Sequence, residues 1–309
     1  SIPYMNLLLL NIFQAIIGIF MASDFLKFDR KLDMTEVVYM RSMTNTEYVL
    51  GKTLGVFMVF MLLNMFVLAL ALIIQFFFSD VAIVWEAYLL YPILITVPTL
   101  TYIFGLSFLV MVLLRSQAIT FILLLGYIAG TIFFLGDKFH NLFDYMAVDL
   151  PLMYSDFIGI SNLQNAFIHR SIYFLLGIGC ICGTILAIRR LPQTRWMDRL
   201  ALVIGLFAVA GSFMLGKVYL DRFADGQQLR AHMRELNTRY ADINRVSVTA
   251  IRLDVDHTGT TYSAEASLTV ANPGDEPLSE YVFSLNPGLR VESVIMNGQD
   301  LPVTRDTHI

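Results

Sequence analysis

The sequence predicts an all-α polytopic membrane domain with six transmembrane helices, followed by the start of an all-β, sandwich-like extracytoplasmic domain. Three observations carry this. Uncharged apolar stretches fill most of the first 220 residues, the composition turns polar with a strand period from about Arg245, and basic residues fall in every second loop. Hydrophobic residues make up 57% of the chain and charged ones 15%, far from the averages of soluble globular proteins. The net charge of −4 says nothing about orientation, because that follows local Lys and Arg placement.

The apolar stretches are Ile2–Met21, Thr53–Phe78, Ala87–Leu114, Ser116–Gly136, Ser171–Ile188 and Leu200–Gly216, and none contains Asp, Glu, Lys or Arg. Crossing the hydrocarbon core takes roughly 20 apolar residues, with about 17 as a lower limit. Lys217 can snorkel and extend the last stretch to Tyr219. A buried soluble helix would explain one such segment, not six. Ile2–Met21 lacks the basic leader and small-residue cleavage site of a signal peptide, so it reads as a transmembrane helix. Ser1 stands directly before an apolar run and Ile309 falls in mid-pattern, which predicts a piece of a longer protein. The expected division is a membrane domain over 1–219, a helical stalk over 220–244 and a β domain from 245 to 309.

Loop charges set the expected orientation. Loop 22–52 holds Lys27, Arg30, Lys31, Arg41 and Lys52, the next short turn holds Arg115, and loop 189–199 holds Arg189, Arg190, Arg195 and Arg199. Loop 79–86 has no basic residue, and loop 137–170 sets Asp137, Asp144, Asp149 and Asp156 against Lys138 and Arg170. The positive-inside rule then puts the basic loops in the cytoplasm. Loop 137–170 and everything after Leu220 face outside, the periplasmic side of a bacterial inner membrane.

Within the spans, Gly51 and Gly55, Gly126 and Gly130, and Gly179 and Gly183 are small-xxx-small pairs that permit close helix packing. Pro92 and Pro98 should kink or break the third span. Asn6, Asn11, Gln14, Asn64 and Gln75 are expected to hydrogen-bond between helices. Cys180 and Cys182 lie two apart in a helix and point to different faces, which argues against a disulfide or a metal site.

The stretch Asp24–Lys52 is too long and too charged for a mere connector. Met34, Val37 and Val38, with Asp33, Glu36 and Arg41 opposite, predict an amphipathic surface helix. Thr44-Asn45-Thr46-Glu47 then reads as a capped helix start running through Tyr48, Gly51 and Lys52 into the second span. Over residues 1–190 these features resemble the type 2 permeases of ATP-binding-cassette exporters. The matching residues are Glu36, Ser42, Glu47, Tyr48, Gly51 and Lys52, with Met43 where that family often has Pro. The resemblance implies that this loop docks on a separate ATPase subunit, through Glu36, its neighbour Arg41, Glu47, Tyr48, Gly51 and Lys52. It also implies a second permease half, or a second copy of the chain, as partner. The sequence has no Gly-x-x-x-x-Gly-Lys phosphate loop, so ATP belongs to the partner subunit. The bilayer is the other expected partner, and no nucleic acid is expected.

Outside, Phe139, Leu142, Phe143 and Met146 have the spacing of an interfacial amphipathic turn pair. The four Asp residues of that loop lack any Ca²⁺-loop spacing and read as solvated acids. Leu229, Met233, Leu236 and Tyr240 form one stripe of a stalk helix. Tyr262, Ala264, Ala266, Leu268 and Val270 alternate strictly with polar residues, as a half-buried strand does. Val246 and Val248 are out of phase with Ile251, Leu253 and Val255, which predicts a bulge near Ala250. Turns are expected at His257–Thr260 and Asn272–Asp275, with a hairpin at Asn297-Gly298.

Arg252–Asp256, the Tyr262–Val270 strand, Asn272 and Leu285-Asn286-Pro287 are similar to the opening of the N-terminal β domain of aminopeptidase N-type zinc peptidases. No His-Glu-x-x-His occurs, and the histidines at 140, 169, 232, 257 and 308 are scattered singly. No catalytic residue and no metal ligand is therefore assigned. Zinc, if this lineage uses it, would be bound in a part of the protein beyond residue 309. The reading is an exporter permease subunit carrying an aminopeptidase-like module. The alternatives are a membrane-anchored zinc aminopeptidase and a substrate-binding β module on a membrane scaffold.

Overall fold

A computed structural model describes residues 2–31, 44–80, 82–152, 154–155, 159, 162–188, 195–258, 261–274 and 276–309, the side chains of 22–31 and 195 excepted. The amphipathic helix expected around Glu36 and Arg41 lies outside the described residues. The described chain is mostly helical, and six helices are long and apolar enough to cross a bilayer, the architecture of a multi-pass membrane protein. It divides into two compact units, Ser1–Asp221 and Arg222–Ile309.

Helix α1 spans Ile2–Lys31 and α2 spans Asn45–Phe78. The start of α2 is fixed by a capping box. The Glu47 amide donates to Thr44 Oγ1 at 3.2 Å, and the Thr44 amide donates to Glu47 Oε2 at 2.7 Å. Two otherwise orphaned amides are thus satisfied. The third span is α3 over Trp85–Tyr91, a π-turn over Pro92–Thr96, and α4 over Val97–Leu114. Pro92 and Pro98 do not break it. The backbone stays right-handed through Tyr91, Pro92, Thr96 and Val97, and the wider π-turn takes up the lost register. Arg115, at φ 56°, ends α4 as a left-handed C-cap.

Helix α5 spans Gln117–Gly130 and runs into a second π-turn at Thr131–Leu135. Helix α6 spans Leu163–Ala187, eight residues earlier than the expected start at Ser171. His169 and Arg170 therefore lie inside the helix and not in a loop. Helix α7 spans Arg195–Arg239 without interruption, so the sixth span and most of the expected stalk are one element.

Three buried clusters order the first unit from end to end. At one end Tyr48 and Val49 of α2 meet Ile181, Ile185 and Ile188 of the α6 terminus and Ala201 of α7. The middle holds Ala15 and Ile19 of α1 with Leu100, Phe104 and Phe108 of α4. At the far end Tyr4, Leu7, Tyr88, Tyr91, Leu94 and Ile95 pack with Ala147, Leu150 and Leu152. The segment 136–152 thus folds back over the bundle end instead of standing in solvent. Asp144, expected to be solvated, is 1% exposed. Asp137 and Asp149 are exposed as expected, and Asp156 lies outside the described residues.

Helices α4 and α6 touch backbone to backbone. A Cβ added at Gly177 would lie 2.6 Å from the Thr101 carbonyl carbon, and one at Gly105 would lie 2.5 Å from the Gly177 oxygen. Small residues are what permits such an approach.

The second unit contains β1 over Ser247–Thr258 and β2 over Thr261–Ala271, paired antiparallel, with a bulge between Val248 and Ala250. The pairs Ile251–Leu268, Leu253–Ala266 and Val255–Ala264 share one face and are exposed, as is the polar face with Asp254 opposite Glu265. Strands β3, Ile295–Met296, and β4, Gln299–Asp300, close on Asn297 (φ 53°) and Gly298 (φ 81°). Both left-handed turn residues are as a type I′ hairpin requires. Among the described residues the β structure amounts to these two hairpins and an isolated bridge in the first unit.

Candidate functional site

Two places in the first unit concentrate chemistry, one at each end. At the α2 start, Asn45 is buried and its Nδ2 donates to the Ile188 carbonyl at 3.1 Å, tying the first turn of α2 to the end of α6. Tyr48 is buried beside it, and Lys52 Nζ lies 4.9 Å from the Tyr48 ring centroid, a cation–π distance. Glu47 is exposed, and its carboxylate is engaged by the cap of its own helix. Of the coupling residues expected from sequence, the structure gathers Glu47, Tyr48, Gly51 and Lys52 on one helical start. Glu36 and Arg41 lie outside the described residues.

The glycine pairs divide. Gly51, Gly55, Gly126 and Gly130 have nothing within 4 Å of an added Cβ, so no part of the described chain packs on them. Gly179 faces Val209 of α7, where a Cβ would come within 2.6 Å, and Gly183 faces Leu109 of α4 at 3.3 Å.

The other end holds a buried polar bracket. Arg170 of α6 is 1% exposed. Its Nε donates to the Leu94 carbonyl at 2.8 Å and one terminal nitrogen to the Tyr145 carbonyl at 2.7 Å. The other terminal nitrogen reaches the Ile95 carbonyl at 3.1 Å and Thr99 Oγ1 at 2.5 Å. Asn11 of α1 donates its Nδ2 to the same Ile95 carbonyl, to Thr99 Oγ1 and to the Met146 carbonyl. Four segments thus meet on two side chains: α1, the π-turn with the start of α4, the folded-back loop, and α6. Asn64 Nδ2 donates to Gln14 Oε1 at 2.9 Å, and Tyr88 donates to Gln75 Oε1 at 2.7 Å. The expected interhelical bonding is therefore present for Asn11, Gln14, Asn64 and Gln75. Asn6 instead bonds within its own helix, to the Ile2 carbonyl.

Around the bracket, Tyr102, Tyr127, Tyr145 and Tyr173 pack edge to face, tilted or stacked, with centroids 5.1 to 6.4 Å apart. The Asp144 carboxylate accepts the Asp149 amide at 2.8 Å. Burial pushes its pKa above the ordinary carboxylate value, partly offset by the Asp149 and Val148 amides and by the field of Arg170. Among the described residues no ion pair contains Arg170. The loop keeps positive φ at Phe139, His140, Asn141 and Ala147, an unfavourable backbone that surrounding contacts must hold.

The bracket was hidden in the sequence because Arg170 adjoins the uncharged stretch and reads as a loop cation. The available signal was the stripe Leu163, Ala166, Arg170, Tyr173 and Gly177, which extends the helix upstream of Ser171. Cys180 and Cys182 are free thiols in α6. Among the described residues no three of His, Cys, Asp and Glu converge as a metal site. No family model, curated protein or solved structure matches this chain.

Proposed function

We propose that this chain is part of a permease subunit of an ATP-binding-cassette exporter of the type 2 kind. It would sit in a bacterial inner membrane and work with a separate ATPase subunit. The observation that supports this reading is the construction of the α2 start. A capped helix end, anchored through Asn45 to Ile188 and packed on α6 and α7, continues without a break into the second span. A push on the segment before Thr44 would therefore pass directly into a transmembrane helix. The charged segment 22–43 precedes that helix in the chain, as coupling to a cytoplasmic motor requires.

The second unit would stand on the periplasmic side and carry an aminopeptidase-like module. The open apolar face of β1–β2 supports its reading as the first pair of strands of a β-sandwich, since a lone hairpin is only marginally stable in water. That same face favours the second reading, a membrane-anchored zinc aminopeptidase.

The experiment is co-purification of the ATPase with the full-length protein and a Glu36→Lys variant. Charge reversal is expected to lower ATPase recovery and stimulated ATP hydrolysis while membrane insertion is unchanged. Equal recovery and equal stimulation would leave the loop an ordinary interfacial helix and remove the main support for an exporter.

A further inference from the structure

In an α-helix the carbonyl of residue i accepts the amide of residue i+4. For Leu94 that residue would be Pro98, which has no N–H, and the chain there forms a π-turn instead, in which the Val97 amide reaches the Pro92 carbonyl. Arg170 Nε, on a different helix, donates to the Leu94 carbonyl at 2.8 Å. One position further on, the Ile95 carbonyl takes side-chain donors from Arg170, Asn11 and Thr99. The weak point of the third span is thus held from the side, by groups that can withdraw without unwinding the helix. π-turns concentrate at functional sites and prolines at kinks, and here both lie within seven residues, Pro92 to Pro98.

What lies beyond the weak point is a coherent piece. Tyr91 OH donates to the Leu152 carbonyl at 2.6 Å and Tyr4 OH to the Leu150 carbonyl at 3.2 Å, so α3 and the folded-back loop share one buried cluster. Arg170 holds both parts at once, α3 through Leu94 and Ile95 and the loop through Tyr145. An arginine suits this because its planar fork serves several carbonyls together, which a lysine cannot do.

We propose that Pro92–Pro98 is a hinge in the third span and that Arg170, with Asn11, is its latch, holding the Leu94 and Ile95 carbonyls of the turn from other helices. Releasing the latch lets α3 and residues 144–152 loosen from α6, while His169 and Tyr173 of α6 keep hold of the Asn141 and Leu142 carbonyls. Arg170 is a positioning residue, and the proposal stands whether or not the chain works with an ATPase.

The test uses the full chain in lipid nanodiscs, with Cys180→Ala and Cys182→Ala as background and Leu150→Cys as reporter. Leu150 is 1% exposed, so a maleimide labels it only when the cluster opens. Arg170→Met is expected to speed labelling about tenfold. Adding Pro98→Ala, which lets the turn take an α register with residue 98 donating to Leu94, is expected to bring the rate back toward that of the parent. If Arg170→Met is not recovered folded, Arg170→Lys takes its place with the same expectation. Unchanged labelling in the Arg170 variant overturns the latch. Faster labelling that Pro98→Ala does not reverse overturns the hinge at the proline turn, because a merely structural arginine would give independent effects.

Discussion

Asp144 and Arg170 illustrate how a membrane domain treats charge. Arg170 is surrounded by carbonyl oxygens, and Asp144 is turned toward backbone amides at the loop end of the same region. Because burial raises the Asp144 pKa, the sign of its pH effect is fixed. Just above the ordinary carboxylate range, the folded protein binds more proton at this site than the unfolded chain does. Stability from this residue is therefore complete at acid pH and declines as pH rises through the raised folded value. Asp144→Asn keeps an acceptor for the Asp149 amide and has no charge to desolvate. Thermal unfolding of the purified protein from about pH 4 to pH 7 is expected to show a smaller decline for the variant, with equal or greater stability near neutrality. A steeper decline in Asp144→Asn would show that the pairing field of Arg170 outweighs burial. Neither residue could be placed from sequence, because a charge next to an apolar stretch looks the same at a membrane surface and inside a bundle. The difference lies in the carbonyls of Leu94, Ile95 and Tyr145, which only the fold brings to it.

The helices were legible where period and composition agree. The apolar stretches, the Thr44–Glu47 cap, the bulge before Ala250 and the Asn297-Gly298 turn all follow from local chemistry, and each is present. The α6 start was legible only in the stripe from Leu163 to Gly177, and the continuity of α7 not at all, since both run through polar sequence that is helical by continuation from a buried span. Glycine roles were legible only as a type. Gly126 and Gly130 have the same spacing as Gly179 and Gly183, yet only the second pair meets another helix of this chain. Gly177, outside the motif, makes the tightest approach to α4. Gly177→Val would drive a side chain into the Thr101 backbone, at a cost of about 1–3 kcal/mol or more. Its thermal midpoint should fall and its recovery from membranes drop, while Gly126→Val should leave both unchanged. Loss of fold in Gly126→Val with a tolerated Gly177→Val would contradict the helix pairing.

At the scale of the whole molecule, the two ends of the membrane domain are built for different tasks. One end is a capped helix start locked onto α6 and α7; the other is a folded-back loop held by Arg170 together with Tyr4, Asn11, Tyr91, His169 and Tyr173, beside a proline-flanked turn. The reading of this chain as a transporter component needs those ends on opposite sides of the bilayer, with the hairpin unit outside. Single-cysteine labelling in intact spheroplasts tests that most directly, with an impermeant reagent and both native cysteines replaced. Ser263→Cys should label in intact cells, and Ser42→Cys only after the membrane is permeabilised. Labelling of Ser42→Cys in intact cells, with Ser263→Cys protected, would invert the topology and contradict the account.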